Sequence, residues 1–389
     1  MIYSRFRWLL PAAAALGLLA GCETVSKYYD RTFGSTPVAK PAELVAIKET
    51  AALRILWQGS VGPSDKNIYF PALSANVVYA TGVGGTVSGF DAASGRLVSS
   101  VQAGQPVAGG VGAGSGLVLL GTSRGEVLAF EREGKALWKA QLPGEVLAPP
   151  AVLDGTVVAR AGDGRVYGLD AASGKQKWVY QRTMPPLSVR THAGLVVDRG
   201  AVFVGFSGGR LVALALANGN VGWDAVVALP RGTTELERVS DITSLPVVDG
   251  SQVCAVAFQG RVACLDAARG TVQWARDVSS IAGLAVDSNQ VYVTDDKNAV
   301  VAFERTTGAN RWRQDRLLNR RVSAPLALGR HVVVGDVEGY VHLIARDNGA
   351  FAARIATDGS PISAPPMAIG ASSFVVQTRN GGVFAISVQ

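Results

Sequence analysis

The chain has 389 residues, of which 48% are hydrophobic and only 17% charged, with 46 glycines and a formal net charge of +7. Glycine at this level without a collagen period suits many tight turns, and the lack of long charged helix-forming runs predicts an all-β protein. The positive charge forms no dense Lys/Arg run, which argues against nucleic-acid binding.

The N-terminus has the features of an exported lipoprotein. Residues 1–21 contain two arginines and then an apolar run, Trp8–Ala20, which is too short to span a bilayer and fits a secretory signal. The run ends Leu19-Ala20-Gly21-Cys22, which resembles the bacterial lipobox. We therefore predict a signal peptide over residues 1–21 and lipidation at Cys22. The alternative is a plain signal peptide followed by an incidental cysteine.

Residues 22–52 read as a lipid-anchored tether. The lipobox resemblance, with Glu23 rather than aspartate after the cysteine, implies the outer membrane. Pro37 and Pro41 argue against a continuous helix, although Glu43–Leu53 could form a short one. Two interpretations stay open for the second half of this segment, a free tether or a stretch packed on the folded domain.

The stretch Val157–Trp178 (VVARAGDGRVYGLDAASGKQKW) predicts strand, turn, strand, turn, strand. Gly162-Asp163-Gly164 is turn chemistry, and the residues up to Asp170 alternate polar and apolar as in a half-buried strand. A further short strand, led by proline, precedes the stretch at Pro149–Leu153. The unit therefore has about four strands.

This unit recurs along the chain. Its second turn glycine is repeated at Gly95, Gly134, Gly174, Gly219, Gly270, Gly308 and Gly349. Four residues after each glycine stand Ser99, Trp138, Trp178, Trp223, Trp274, Trp312 and Ala353. A period near 40 residues with four short strands per unit predicts a β-propeller.

The last unit, Ser373–Ser387, lacks its outer strand, and the stretch Leu53–Trp57 supplies the missing piece. We therefore predict an eight-bladed β-propeller of four-stranded antiparallel blades over residues 53–389, with the last blade closed by the N-terminal strand. The repeat tryptophans are predicted to pack between blades as structural residues. They are Trp57, Trp138, Trp178, Trp223, Trp274 and Trp312.

The repeat is stretched in two consecutive units. It measures 45 residues from Gly174 to Gly219 and 51 from Gly219 to Gly270, against 38 to 41 elsewhere. Both extra lengths, Gln181–Thr191 and Ala228–Leu245, fall between the outer strand of one blade and the first strand of the next. We expect these loops to lie side by side on one face. Apolar residues among charges on long loops favour partner binding, with tolerated insertions as the alternative.

Cys254 and Cys264 lie on the two strands of one predicted hairpin. A disulfide forms if the register pairs them directly, whereas a two-residue turn would place them on opposite faces. The three histidines, His192, His331 and His342, lie in different units and lack metal-ligand spacing. No catalytic residue, metal or cofactor is predicted.

The lipobox, the repeated DAxxG…W text and the run GTTELERVSDITSLPVVDG (Gly232–Gly250) together resemble the BamB family. These are β-propeller lipoproteins of the outer-membrane β-barrel assembly machinery, with PQQ-like repeats. The resemblance covers the whole chain and implies a non-catalytic scaffold on the periplasmic face of the outer membrane. The implied partners are the POTRA domains of the barrel subunit BamA, the other subunits of the machinery and unfolded outer-membrane proteins.

In that family two loops contact BamA, and the matching runs here are PLSVR (Pro186–Arg190) and ELERVSD (Glu235–Asp241). The resemblance assigns partner binding to Leu187, Val189, Arg190, Arg238 and Asp241. Val189 stands where the family pattern has leucine, and Thr243 replaces a second acid.

Two other functions compete with this one. The DAASGKxxW text also resembles the tryptophan-docking repeats of quinoprotein dehydrogenases, which bind pyrroloquinoline quinone. The chain has about half the usual length of such an enzyme and lacks the vicinal cysteine pair. A generic periplasmic binding propeller is the remaining alternative.

Overall fold

Eight antiparallel sheets of four strands follow one another around a ring in the computed structural model, which describes residues 40–190, 192 and 194–389. All regular elements in these ranges are strands, and the predicted eight-bladed propeller is confirmed. The predicted signal peptide, Cys22 and the first part of the tether lie outside the described residues. Within those described, no helix has the length and apolar character needed to cross a membrane.

The N-terminal strand β1 (Leu53–Ser60) precedes the first complete blade. Blade 1 consists of β2 (Ala72–Ser74), β3 (Val77–Thr81), β4 (Thr86–Asp91) and β5 (Leu97–Gln102). Blade 2 consists of β6 (Gly109–Gly114), β7 (Leu117–Gly121), β8 (Glu126–Glu131) and β9 (Ala136–Gln141). Blade 3 consists of β10 (Ala151–Leu153), β11 (Thr156–Arg160), β12 (Val166–Asp170) and β13 (Gln176–Tyr180). Blade 4 consists of β14 (Leu195–Asp198), β15 (Ala201–Phe206), β16 (Arg210–Ala215) and β17 (Val221–Val226).

The second half of the ring repeats the pattern. Blade 5 consists of β18 (Val247–Asp249), β19 (Gln252–Val256), β20 (Arg261–Asp266) and β21 (Val272–Asp277). Blade 6 consists of β22 (Gly283–Val286), β23 (Gln290–Thr294), β24 (Val300–Glu304) and β25 (Asn310–Gln314). Blade 7 consists of β26 (Leu326–Leu328), β27 (His331–Gly335), β28 (Tyr340–Ala345) and β29 (Phe351–Ala356). Blade 8 consists of β30 (Met367–Ala368), β31 (Ser373–Gln377), β32 (Gly382–Val388) and β1.

The first strands of successive blades adjoin and form the inner ring, and the fourth strands form the outer rim. The two middle strands of each blade are buried almost throughout because neighbouring blades cover both of their faces. Each blade is an up-and-down meander. The connection that follows each outer strand therefore lies on the same end of the ring as the turn between the second and third strands. We call this end the loop face.

The ring closes where the sequence predicts it. β1 pairs antiparallel with β32, from Leu53 opposite Val388 to Ser60 opposite Gly382. The closure ties the two ends of the propeller together by main-chain hydrogen bonds and leaves blade 8 with the same four strands as the others.

The repeat tryptophans join each blade to the next. Every indole N–H donates to a main-chain carbonyl just beyond the third strand of the following blade. The pairs are Trp57 to Ala92, Trp138 to Ala171, Trp178 to Leu216, Trp223 to Ala267, Trp274 to Arg305 and Trp312 to Arg346, at 2.6–3.0 Å. The turn glycine of the following blade packs on the ring. A Cβ at Gly174, for example, would lie 2.5 Å from Trp138.

Two of the eight junctions in the described ring lack this tryptophan. Blade 1 carries Ser99 and blade 7 carries Ala353 at the equivalent position. Between blades 1 and 2, Tyr69 donates its hydroxyl to the Val107 carbonyl at 2.7 Å, and the main chains of Phe70 and Val111 are hydrogen bonded.

Between blades 7 and 8, residues 42–52 supply the contact. We call them the N-terminal segment. Thr50 N–H donates to the Ala352 carbonyl at 2.9 Å, and Ala42 N–H donates to the Leu318 carbonyl at 2.9 Å. The segment is extended beside β29, and the short helix considered for Glu43–Leu53 does not form. The compact unit therefore starts at Ala42, before the predicted boundary at Leu53.

A buried polar cluster in blade 7 holds the N-terminal segment. Arg320, which is 1% exposed, pairs with Asp336 at 2.6 Å and donates to the Ala42 carbonyl at 2.7 Å. His342 Nε2 lies 2.7 Å from Asp336, while Arg354 donates to His342 Nδ1 at 3.1 Å and to the Val45 carbonyl at 3.2 Å. Because Nδ1 accepts a hydrogen bond and Nε2 faces a carboxylate, the geometry fits the neutral imidazole with its proton on Nε2.

Cys254 and Cys264 form a disulfide across the β19–β20 hairpin. The register pairs these two residues directly, with their Cα atoms 4.1 Å apart, so the shifted register considered from the sequence does not occur. Both cysteines are fully buried.

Candidate functional site: two adjacent loops on the loop face

The two stretched connections lie in contact on the loop face. The first, residues 181–194, runs from β13 to β14, and the second, residues 227–246, runs from β17 to β18. The main-chain N–H of Val189 in the first loop donates to the Asp241 carboxylate in the second at 2.7 Å. The structure thus brings the two loops together, as their equivalent places in consecutive blades predict.

Asp241 is buried beneath the loops rather than presented on them. Its side chain is 2% exposed, and its second oxygen accepts from the N–H of Gly208 at 3.1 Å. One carboxylate therefore joins the first loop, the second loop and the β15–β16 turn. The resemblance assigned Asp241 to partner binding, but in this structure it positions the main chain around Val189.

Arg160, at the end of β11, interacts electrostatically with this carboxylate. Burial lowers the pKa of Arg160 to about 10, and the charge of Asp241 opposes the shift, so the guanidinium stays charged at neutral pH. It lies over the Phe206 ring, 5.4 Å from the centroid. A small cavity of about 150 Å³ opens between Arg160 and the first loop.

Arg190 lies on the surface but is already paired. Its Nε and Nη2 donate to the two oxygens of Glu145 at 2.9 and 2.7 Å, and its side chain is 61% exposed. The hydrogen bond from Arg190 lowers the pKa of Glu145, and the same bond raises the pKa of Arg190. Glu145 belongs to the connection between blades 2 and 3, so the pair extends the site to a third loop.

The first loop is anchored at its base and exposed to solvent at its tip. Met184 packs on the β11–β12 turn, where a Cβ on Gly164 would lie 2.6 Å from its sulfur. Arg182 pairs with Asp224 of β17 at 2.6 Å. Beyond these anchors the loop presents Leu187, whose side chain is 48% exposed, while Val189 is half-buried.

The second loop carries a self-contained turn. The main-chain N–H groups of Thr233 and Thr234 donate to the Glu237 carboxylate at 2.8 and 3.1 Å, which lowers the pKa of Glu237. The Thr234 hydroxyl accepts in return from the Glu237 N–H at 3.2 Å. This is the reciprocal pattern of a capping box. Arg238 is exposed at the end of the turn.

The turn presents the most exposed large apolar side chain among the described residues. Leu236 is 71% exposed, and Leu229 in the same loop is 60% exposed. The side-chain amide of Gln259, with its nitrogen turned toward the loop, supports the carbonyls of Glu237 and Val239 at 3.1 and 2.9 Å. A hydrogen-bonded turn that exposes a leucine to solvent has the features of a binding anchor.

Sequence reasoning did not single out four residues of this site: Glu145, Arg160, Leu229 and Leu236. The two leucines carried a usable signal, since each is a large apolar residue in a loop that also carries Arg231, Glu235 and Arg238. Glu145 and Arg160 carried none, because each meets its partner only after neighbouring blades have packed together.

Thr243, which replaces an acid of the family pattern, is buried below the second loop. Its hydroxyl lies 3.4 Å from the carbonyl oxygens of Ser280 and Ile281. It lines a mainly apolar funnel of about 800 Å³ that opens on the loop face at the ring centre. Arg190 and Val189 line both the funnel and the small cavity beside Arg160.

Searching the described residues gives no group of three or more His, Cys, Asp or Glu side chains placed to hold a metal ion. The site consists of exposed leucines, the exposed ion pair of Arg190 with Glu145, and the buried carboxylate of Asp241, which fixes the two loops. This arrangement suits a protein–protein contact, with an apolar centre and a charged rim.

Comparison with known proteins agrees with this description. The family model described as "Outer membrane protein assembly factor BamB" matches residues 83–314. A curated relative with that name from Nitrosomonas eutropha is 44% identical over 90% of this chain and 85% of its own length. The relative from Escherichia coli K12 is 31% identical over 97% of this chain and 98% of its own.

Solved structures show the same architecture. The crystal structure of BamB from Moraxella catarrhalis is 26% identical, with a TM-score of 0.79, and covers 86% of this chain and all of that one. A quinohemoprotein alcohol dehydrogenase from Comamonas testosteroni has a TM-score of 0.70 at 13% identity. The similarity to the dehydrogenase, at this low identity, shows only that the two proteins share a fold.

Proposed function

The chain belongs to the family of the outer membrane protein assembly factor BamB, and on this basis we propose that it is a non-catalytic scaffold of the outer-membrane β-barrel assembly machinery. It docks the barrel subunit, BamA, through that subunit's POTRA domains. The observation that carries this proposal is the pairing of the two long loops by Asp241 and Val189 on one face of a rigid ring.

The docking surface combines exposed apolar side chains with Arg190, whose guanidinium can leave Glu145 and pair with an acidic group of BamA. Leu187 and Leu236 project from fixed loops into water, so a partner that covers them removes apolar area at little cost in loop ordering. Arg190 exchanges Glu145 for an acidic group of the partner. Arg238 adds a second exposed cation beside Leu236.

We further propose that a lipid on Cys22 anchors the protein at the periplasmic face of the outer membrane. Two or more acyl chains give stable anchoring, where one chain is marginal. The buried Cys254–Cys264 disulfide supports an oxidising compartment such as the periplasm. Bound in this way, the scaffold helps unfolded outer-membrane proteins to fold and insert.

The direct test is recovery of BamA from detergent-solubilised outer membrane with the natively lipidated protein as bait. The variants Leu187→Asp and Arg190→Glu are expected to lose BamA, and Val272→Asp on the distant strand β21 is the control. Val272 is 47% exposed, close to Leu187, so it matches the change in surface chemistry. Undiminished recovery with both loop variants would refute the site.

We also propose that the protein is not an enzyme. Addition of pyrroloquinoline quinone followed by a dye-linked alcohol oxidation assay separates the scaffold from a quinoprotein enzyme. The scaffold account predicts no dye reduction above that of heat-unfolded protein, and quinone-dependent turnover would contradict it.

A further inference from the structure

Exposed apolar side chains on the loop face are confined to one half of the ring. Eight connections on this face each lead from the outer strand of one blade to the first strand of the next. Among the described residues, the four consecutive connections from blade 3 to blade 7 each present an exposed large apolar side chain, whereas the other four present none. These side chains are Leu187, Leu229, Leu236, Ile281 and Leu318. The two long loops account for only the first two of the four connections.

The connection between blades 6 and 7, residues 315–325, repeats the surface chemistry of the first loop. We call it the third loop. It carries Leu318 and Arg321 at the same spacing as Leu187 and Arg190 in the first loop. Both leucines are 48% exposed, and Arg321 is exposed as well. Both arginines line the funnel at the ring centre, so each loop places an exposed leucine and a cation beside the same cavity.

The third loop is held in place by buried contacts. Arg320 pairs with Asp336 in the β27–β28 turn at 2.6 Å, and both side chains are buried. The N–H of Val322 donates to the Asn298 side chain at 2.8 Å. Between these anchors Arg321 has a φ of +46°, a conformation that residues other than glycine rarely adopt. A partner that covers this loop therefore loses little free energy in ordering it.

Ile281, in the connection between blades 5 and 6, joins the second loop to the third. The Thr243 hydroxyl of the second loop lies 3.4 Å from the Ile281 carbonyl oxygen. The neighbouring Ser280 hydroxyl donates to the Thr294 carbonyl at 2.6 Å, and the Thr294 hydroxyl donates to the Ser323 carbonyl of the third loop at 2.8 Å. Hydrogen bonds thus connect the two loops, and Ile281, which is 52% exposed, extends the apolar surface from one to the other.

We propose that the POTRA region of BamA docks on this whole half of the loop face, with the third loop as a second docking point. The proposal rests on the proposed scaffold function and extends its site beyond the two loops assigned by the family resemblance. The surface of BamA that meets the third loop presents an apolar patch to Leu318 and an acidic group to Arg321. A partner held in this way lies across the funnel.

The charges around the third loop favour a protein over an anionic membrane. Arg321 shares the lining of the funnel with Asp296, whose side chain is exposed. Glu338, which pairs with Arg320 below the loop, has a side chain that is 50% exposed. Mixed charges around a single exposed leucine are typical of a protein interface, whereas anionic lipid selects clustered cations.

Titration of the purified POTRA domains into the full lipidated chain in detergent measures the contribution of the third loop. We expect Leu318→Asp, Arg321→Glu and Ile281→Asp each to bind the POTRA domains about fivefold or more weakly than the parent. Val272→Asp on β21, where Val272 is 47% exposed, is the control for the apolar residues. Arg330→Glu, at an exposed arginine on the opposite end of blade 7, is the control for Arg321. Both controls should bind as the parent does.

Unfolding temperatures within about 2 °C of the parent show that the variants are folded. The inference is overturned if Ile281→Asp, Leu318→Asp and Arg321→Glu bind as the parent does while Leu187→Asp binds more weakly. The scaffold function and its two-loop site would then stand. Equal weakening by either control also overturns it. Undiminished binding by Leu187→Asp would refute the two-loop site and this extension with it.

A photo-crosslinker at position 318 identifies what covers the third loop. The lipidated protein is placed in vesicles of phosphatidylethanolamine and phosphatidylglycerol, and the POTRA domains are added. We expect the crosslinker to capture the POTRA domains, and Arg321→Glu to reduce the yield. Capture of phospholipid alone would assign this loop to the membrane and overturn the inference.

Discussion

The carboxylate of Asp241 accepts a hydrogen bond from the main-chain N–H of Val189 at 2.7 Å, across 52 residues of sequence. This contact connects the two longest loops of the ring and holds Val189 between the exposed residues Leu187 and Arg190. The proposed docking surface thus depends on the fold, because the buried Asp241 of the second loop fixes the main chain of the first.

Replacing Asp241 by alanine should weaken both stability and docking. The change leaves the N–H groups of Val189 and Gly208 without their buried acceptor, which costs about 1–3 kcal/mol in the free energy of unfolding. Urea unfolding measures the first effect and titration with the POTRA domains the second. The control is Glu235→Ala, an exposed acid of the same loop, which should change neither. Docking at full strength by Asp241→Ala would show that the position of the first loop does not matter.

Leu236→Ser should separate docking from folding. The side chain is 71% exposed, so its loss should change the free energy of unfolding by less than about 0.5 kcal/mol. As a central anchor it should cost about 2 kcal/mol of binding to the POTRA domains. Val221→Ser on β17, where Val221 is 49% exposed, tests whether any exposed apolar residue behaves this way. Equal effects of the two variants would remove Leu236 from the site.

Substituting two glycines separately measures how much the tryptophan contact at a blade junction contributes to the free energy of unfolding. Gly155 and Gly174 both have φ +70°, but nothing lies within 4 Å of a Cβ on Gly155, whereas Trp138 lies 2.5 Å from one on Gly174. Gly155→Ala should cost about 1 kcal/mol for backbone strain, and Gly174→Ala about 1–3 kcal/mol more, since the ring must move. Thermal unfolding measures both. Equal destabilisation would mean that the tryptophan contact contributes nothing.

Acid should loosen the N-terminal segment. Burial lowers the pKa of His342, although Asp336 opposes the shift, so the folded protein keeps the imidazole neutral below the unfolded pKa of about 6.5. The unfolded chain then binds the extra proton first. The stability contributed by the neutral histidine is therefore present above pH 6.5 and is lost as the pH falls toward the folded pKa.

Protonation of His342 would also place a proton on Nδ1, where Arg354 now donates, and Arg354 holds the Val45 carbonyl. The protection of the amides of residues 42–52 against hydrogen exchange, expressed relative to the intrinsic exchange rate at each pH, should fall as the pH is lowered below about 6.5. His342→Gln should flatten this dependence, whereas His331→Gln, at a partly exposed histidine, should not. An unchanged pH profile in His342→Gln would assign the effect to another group.

The fold could be predicted from the sequence because its signals are local and repeated. Each turn glycine and the tryptophan four residues later mark one blade, and Leu53–Trp57 supplied the missing strand of the last. The position of the two long loops followed from the same repeat. The role of Asp241 could not be predicted, since a residue buried beneath an irregular loop is not marked by any periodicity of the sequence.

Contacts between distant parts of the chain could also not be predicted from the sequence. Arg320 binds the Ala42 carbonyl across 278 residues, which decides that the second half of the predicted tether packs on blade 7. Likewise Glu145 meets Arg190 only through the stacking of neighbouring blades. Such pairs depend on the angle between blades, and composition and spacing carry no information on that angle.

The account is tested most directly by titrating the purified POTRA domains into the parent protein and three variants, Glu145→Gln, Arg190→Glu and Leu187→Asp. Glu145→Gln releases Arg190 from its partner, so binding should stay equal or become tighter, while the other two should weaken it by about tenfold or more. Unfolding temperatures within about 2 °C of the parent would show that the loop variants are folded. Binding by Arg190→Glu and Leu187→Asp at the strength of the parent would contradict the central claim, that these loops dock BamA.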